Sequence, residues 1–193
     1  MHNMPMICLL AMKPELADAF AQAFSGADRV EIARTDFVSF MDAHPRVSGI
    51  VSTANSFGLM TGGLDKAMRD YFGKSLQDAA RLRIQTEWFG EQPMGTCMAV
   101  DIPGRPGTML LHTPVMRTPA RIQDPTLVYT CMRAVLITAL RLNLDSLLIP
   151  AFGGGTGRIP DHVIAHYMRR AWDQIKSQLD SPHMDDFRTA IRI

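Results

Sequence analysis

Two glycine-rich turns constrain this chain more than any other feature. One runs through Ala54-Asn55-Ser56-Phe57-Gly58-Leu59-Met60-Thr61-Gly62-Gly63-Leu64-Asp65, the other through Phe152-Gly153-Gly154-Gly155-Thr156-Gly157-Arg158. Each follows an apolar run and precedes a segment with helical spacing of apolar residues, so each reads as the exit of a buried strand into a helix. Where side chains are missing, backbone N–H groups are able to converge on an anion, and the positive end of the following helix adds to the attraction. Two such turns on one sheet imply a ligand with two ends, gripped from both sides.

The rest of the chain fits around them. Its 193 residues suit one domain, residues 1–193, with a sizeable core and no need of disulfides or a structural metal. Apolar runs at residues 6–12, 30–33, 49–53 and 147–151 read as strands, and residues 96–102 and 109–113 as a hairpin around Pro103-Gly104-Arg105-Pro106-Gly107. Helical spacing begins at Pro14, at Leu64 and, capped by the Asp124 side chain, at Asp124-Pro125; Pro160 opens a last helix. Ser75-Leu76-Gln77-Asp78 reads as the cap of a helix continuing beyond Gly73, and residues 188–193 as a final edge strand. Strands alternating with helices, plus one hairpin, predict a three-layer α/β/α sandwich with a central mixed sheet. Ligands of such sheets settle beyond the carboxyl ends of the strands, where both glycine-rich turns fall.

Charge and cysteine content narrow the partners. With Lys+Arg 20 against Asp+Glu 19, the chain lacks the basic excess of non-specific nucleic-acid or membrane-surface binders, which favours a compact ligand. Cys8, Cys97 and Cys131 each lie in apolar stretches rather than in CxxC pairs and read as reduced core residues. The apolar run at residues 4–12 contains Pro5 and lacks a basic flank, a poor signal peptide, and no run approaches a membrane span of roughly 20 residues. A cytoplasmic location is the resulting expectation.

The second turn holds four glycines between a buried strand and a helix, whereas a plain connection needs one, and a diphosphate cradle accounts for the excess. It is no Walker A loop, because the Gly-Lys-Ser/Thr ending is absent, and it lies too late in the chain for a dinucleotide fingerprint. In the first turn Asn55 and Asp65 are able to hydrogen-bond sugar hydroxyls while Gly62 and Gly63 admit a ligand to the backbone. Taken singly, Asn55 would be an Asx-turn and Asp65 a first-turn carboxylate; beside two glycines they read together as a site. His162 and His166 stand four apart on the last helix, but no Glu lies between them and no third ligand declares itself, so they read as surface residues rather than a metal pair. His112, inside a strand, reads as a core histidine, and the many methionines as adaptable core fillers.

The stretch from Gly49 through Ser52, Thr53, Ala54, Asn55 and Ser56, followed by Gly62-Gly63-Leu64-Asp65, resembles the first signature of macro domains, close to V-N-A-A-N-S then G-G-V-D. Leu110-Leu111-His112-Thr113 is similar to the family's V-I-H-T strand, Leu148-Ile149-Pro150-Ala151 with the second turn to its pyrophosphate loop, and Thr35-Asp36 to its Gly-Asp pair. The resemblance implies a pocket for ADP-ribose or an ADP-ribosylated molecule. Asp36 would accept from the adenine amino group with Phe37 near the base. Thr53, Asn55, Gly62, Gly63, Leu64 and Asp65 would line the distal ribose, and Phe152, Gly153, Gly154, Gly155, Thr156, Gly157 and Arg158 would wrap the diphosphate. Hydrolysis of an ADP-ribosyl bond, with Asn55 and Asp65 catalytic and a held water as nucleophile, would need no metal or other cofactor. Ser52 replaces the family's earlier Asn, and the aromatic that ends the pyrophosphate loop is missing. A non-catalytic reader of ADP-ribosylated partners and an ADP-ribose phosphate phosphatase are the alternatives.

Overall fold

The computed structural model describes residues 3–182, so the edge strand expected at residues 188–193 lies outside the described residues. Six strands and six helices follow one another as β1 (Met6–Leu10), α1 (Pro14–Ala23), β2 (Val30–Ala33), α2 (Phe37–Ala43), β3 (Gly49–Ser52), α3 (Gly63–Phe72), α4 (Lys74–Glu87), β4 (Met98–Asp101), β5 (Met109–His112), α5 (Thr126–Arg141), β6 (Ser146–Pro150) and α6 (Asp161–Asp180). The sheet order is β2-β1-β6-β3-β5-β4. All pairings are parallel except that of β4 with β5, the expected hairpin, in which Met98 opposes His112 and Asp101 opposes Met109.

Strand alternation divides the core into two layers. Ile7, Leu9, Val51, Leu111, Leu147 and Ile149 are buried with Phe20 of α1, Val135 and Leu136 of α5, and Met168 and Trp172 of α6. On the opposite face Leu10, Ile50, Leu110 and Leu148 are buried with Phe37, Phe40 and Met41 of α2, Met68 of α3, and Leu76, Ala80 and Ile84 of α4. The expected α/β/α sandwich with a mixed sheet is the observed one.

Two local features differ from the sequence reading. Residues 37–43, to which the sequence reading assigned no element, form α2: the Asp36 carboxylate accepts from Ser39 N at 3.0 Å and from Ser39 Oγ at 2.7 Å, a helix cap. α4 starts earlier than the cap read at residues 75–78, directly at Lys74, because Gly73 takes φ 92° and turns the chain there without any side-chain cap. At α5 the Asp124 carboxylate does accept from Thr126 N, at 2.9 Å. No helix among the described residues is long and apolar enough to cross a membrane.

β6 is hydrogen-bonded on both sides and fully covered, so cavities there relax poorly. Leu148→Ala is expected to lower unfolding stability in urea by about 2–5 kcal/mol. Leu82→Ala, at a position 61% exposed on α4, is expected to stay within about 0.5 kcal/mol of the parent protein.

Candidate functional site

Because β1, β6 and β3 are neighbours and parallel, their carboxyl ends leave the sheet along one edge. The segments that follow them enclose a cleft of about 600 Å³, the size of a small-molecule site. Leu10, Met12, Lys13 and Leu16 line it from β1, Thr53, Asn55 and Gly62 to Asp65 from β3, and Pro150, Ala151 and Gly153 to Thr156 from β6. Val115, Met116 and Pro119, beyond β5, complete the wall, and Asp161 stands at the head of α6. The two glycine-rich turns thus face one cavity.

The glycines divide into two kinds. At Gly62, Gly63 and Gly155 nothing lies within 4 Å of where a Cβ would stand, so their lack of a side chain opens space. Gly63 also has φ +54°, a conformation that side-chain-bearing residues rarely adopt. With Gly62 as N-cap, α3 has no side-chain cap, and its first-turn N–H groups are available to an anion. At Gly157 the contact is with protein: a Cβ would stand 2.6 Å from the Gly153 carbonyl oxygen and 2.9 Å from Gly153 Cα. The loop folds back on itself through Ile159 N to Gly153 O and Arg158 N to Gly155 O, and Ile122 N donates to Gly157 O.

Asn55, 7% exposed, is held by the turn it starts. Its Oδ1 accepts from Phe57 N and Leu59 N, and its Nδ2 donates to Leu59 O at 2.9 Å. The Asx-turn and the site residue are therefore the same asparagine, since a carboxamide nitrogen carries two hydrogens and Leu59 takes one. Asp65 follows ten residues on. Its Oδ1 accepts from the hydroxyl of fully buried Ser52 at 2.7 Å. Burial pushes the carboxyl up to about 6, only partly offset by the Ser52 hydrogen bond. A carboxylate of that affinity exchanges protons near neutral pH, the property of a general base.

Five expected site residues stand apart from the cleft lining. Phe152 is fully buried and belongs to the same core cluster as Ile159, Ile164 and α5 side chains, so its ring is outside the cleft lining. Phe37 is likewise closed in, 2% exposed, its ring edge-on to Tyr71 and Phe72. Gly157 is buried where the loop closes, and Arg158 is exposed with φ 55°. Asp36 caps α2, and the Ser39 bonds hold its carboxyl below the usual carboxylate range. It leaves β2 at the same sheet edge as the cleft, since Ala33 pairs with Leu10.

Sequence reading missed Ser52, Lys13, Val115, Met116, Pro119 and Asp161, none of which belongs to a glycine-rich turn. His112 is a fully buried core residue whose Nδ1 meets Gln92 Oε1 at 2.6 Å, and burial lowers it to about 4, which keeps the ring neutral. His162 and His166 are exposed on α6, and among the described residues no three His, Cys, Asp or Glu side chains gather as a metal site.

Raising the Asp65 pKa from 3.8 to about 6 means that the native state holds the proton more tightly than the unfolded chain does. The resulting penalty is absent below the unfolded value and complete above the folded one. Asp65→Asn, whose amide oxygen still accepts from Ser52, is therefore expected to be more stable than the parent by about 1–3 kcal/mol at pH 8, the advantage shrinking toward pH 4. Paired melting curves at the two pH values check this; an advantage that grows on acidification contradicts it. Gly157→Ala is expected to destabilise by about 1–3 kcal/mol, because the atoms its Cβ meets are backbone.

The sequence pattern that defines the macro-domain family matches residues 51–168. No curated protein matches the chain. Among solved structures, the Oceanobacillus iheyensis macrodomain with ADP is 24% identical, aligned over 67% of this chain and 69% of that one with a TM-score of 0.59. The macrodomain of Mycobacterium tuberculosis DarG is 18% identical over 67% of this chain and 84% of its own, TM-score 0.58. That of Thermus aquaticus DarG is 17% identical over 68% and 85%, TM-score 0.57. With the family pattern spanning more than half of the sequence and the fold shared, this chain belongs to the macro-domain family.

Proposed function

We propose that the cleft binds ADP-ribose, free or attached to another molecule, and that the protein hydrolyses the bond between the distal ribose and what it carries. The observation that carries the binding half is the meeting of both glycine-rich turns on one cavity of about 600 Å³. In this reading the diphosphate lies between Gly153 to Thr156 and the uncapped start of α3, where backbone N–H groups supply the donors. The adenine end points toward β2, with the exposed Asp36 carboxylate accepting from the exocyclic amine. The distal ribose rests against Gly62 and Gly63, with the free hydrogen of Asn55 Nδ2 as donor.

Hydrolysis rests on Asp65. A water beside it attacks the anomeric carbon of the distal ribose, its proton passing to the carboxylate, and the bond from that carbon to the acceptor breaks with the acceptor taking up a proton. Only the ionised carboxylate serves, so turnover should rise with pH through about 6 and level off above it. One observation favours the reader alternative: the Asn55 side chain already makes three hydrogen bonds within its own turn.

Calorimetry with ADP-ribose and an assay for release from an ADP-ribosylated protein test both halves. ADP-ribose is expected to bind, Asp65→Ala to lower turnover at least 100-fold, and Gly62→Ala to lower affinity about 10-fold without shifting the melting temperature, because the Gly62 site is open and its φ of −147° suits any residue. Binding without turnover in the parent protein would select the reader; no binding would remove the proposal.

A further inference from the structure

We propose that Lys13 makes this cleft selective for an ADP-ribose that carries an additional phosphate on its adenosine ribose, a proposal that rests on the ADP-ribose reading above. Sheet register carries the argument. Ala33 of β2 pairs with Leu10 of β1, and Leu10 pairs with Pro150 of β6, so the three residues form one row across adjacent strands. Three residues beyond each member of that row stand Asp36, Lys13 and Gly153. Neighbouring strands lie about 4.8 Å apart, so these exits form a short series along the cleft edge.

The chemistry of the ligand has the same order. With the base at Asp36 and the diphosphate beginning at Gly153, the sugar that joins them falls at the exit of β1. Lys13 is the residue there, and it lines the cleft. Its ammonium group has no side-chain partner among the described residues. Arg34, the neighbouring cation at the exit of β2, is tied to Asp18 of α1 at 2.8 Å. Asp65 and Asp161 are the other charged residues lining the cleft, and Glu15 stands in the first turn of α1. Among the described residues Lys13 is therefore the sole cation of the lining, beside two aspartates. An unmodified ribose offers only hydroxyls there, while a phosphate on it supplies the dianion that an unpaired ammonium complements; dinucleotide enzymes tell the two ribose forms apart by the same means. α1 strengthens the point, for its N-cap is Lys13 itself and no side chain occupies its first-turn donors.

Calorimetric titration of the intact chain with ADP-ribose and with 2′-phospho-ADP-ribose tests the proposal. The phosphorylated ligand is expected to bind about 5- to 10-fold more tightly at low salt, and the ratio to fall as salt screens an exposed contact. Lys13→Ala should bring the ratio to one or below, because only acidic residues then remain, whereas Lys13→Arg should keep it above one. Lys66→Ala, which removes a lysine paired with Asp70 on α3 and outside the lining, should leave the ratio at the parent value. Equal affinities in the parent protein, or a preference that survives Lys13→Ala, would overturn the inference while leaving ADP-ribose binding intact. Failure of both ligands to bind would overturn both readings together.

Discussion

The hydrogen-bond ladders that flank β6 are the constraint on which everything else depends. They hold β1 and β3 parallel to it, so the chain exits that follow Leu10, Ser52 and Pro150 leave the sheet at one edge. A parallel strand in that position must be apolar on both faces, and the burial of Leu147, Leu148 and Ile149 meets that demand. Once the strands are fixed, the turns have nowhere to lie but around a common opening. The cleft is thus a consequence of topology, and Gly62, Gly63 and Gly155 keep space open at its wall.

Around that opening the protein accepts local costs that a purely structural domain would avoid. Among the described residues Asp65, half-buried and pairing with no cation, carries a raised proton affinity and is held by a hydroxyl from Ser52. Such departures from the least-energy choice concentrate at functional sites. Ser52 is short and brings an O–H rather than an amide to the carboxylate. By contrast the neutral His112 and its partner Gln92 stay inside the core, where burial sets the protonation state.

How much of this was legible in the sequence depended on whether the signal was local. β3, α3 and the two turns declare themselves because apolar runs, glycines and a capping position lie side by side. α2 was legible in principle: Asp36, followed by Phe37, Phe40 and Met41, is a cap with an i, i+3, i+4 face, but its seven residues give too short a period to stand out beside the turn that follows. The role of Phe152 could not be read locally, since a phenylalanine that begins a glycine-rich loop looks like a lid until the packing of Ile159 and Ile164 beneath the loop is known. Ser52 and Lys13 were hidden for another reason. Ser52 meets Asp65, distant in sequence, and the role proposed for Lys13 comes from the register that aligns β2, β1 and β6.

The central claim is that two turns from separate parts of the chain close on one ligand. Backbone amide resonances followed during titration with ADP-ribose test it most directly. The account predicts that the amides of Gly62 to Asp65 and those of Gly153 to Thr156 shift together along one saturation curve, while those of Leu142 and Asn143, which lead into the opposite, amino end of β6, stay still. Shifts confined to one turn, or two turns saturating at different concentrations, would contradict it.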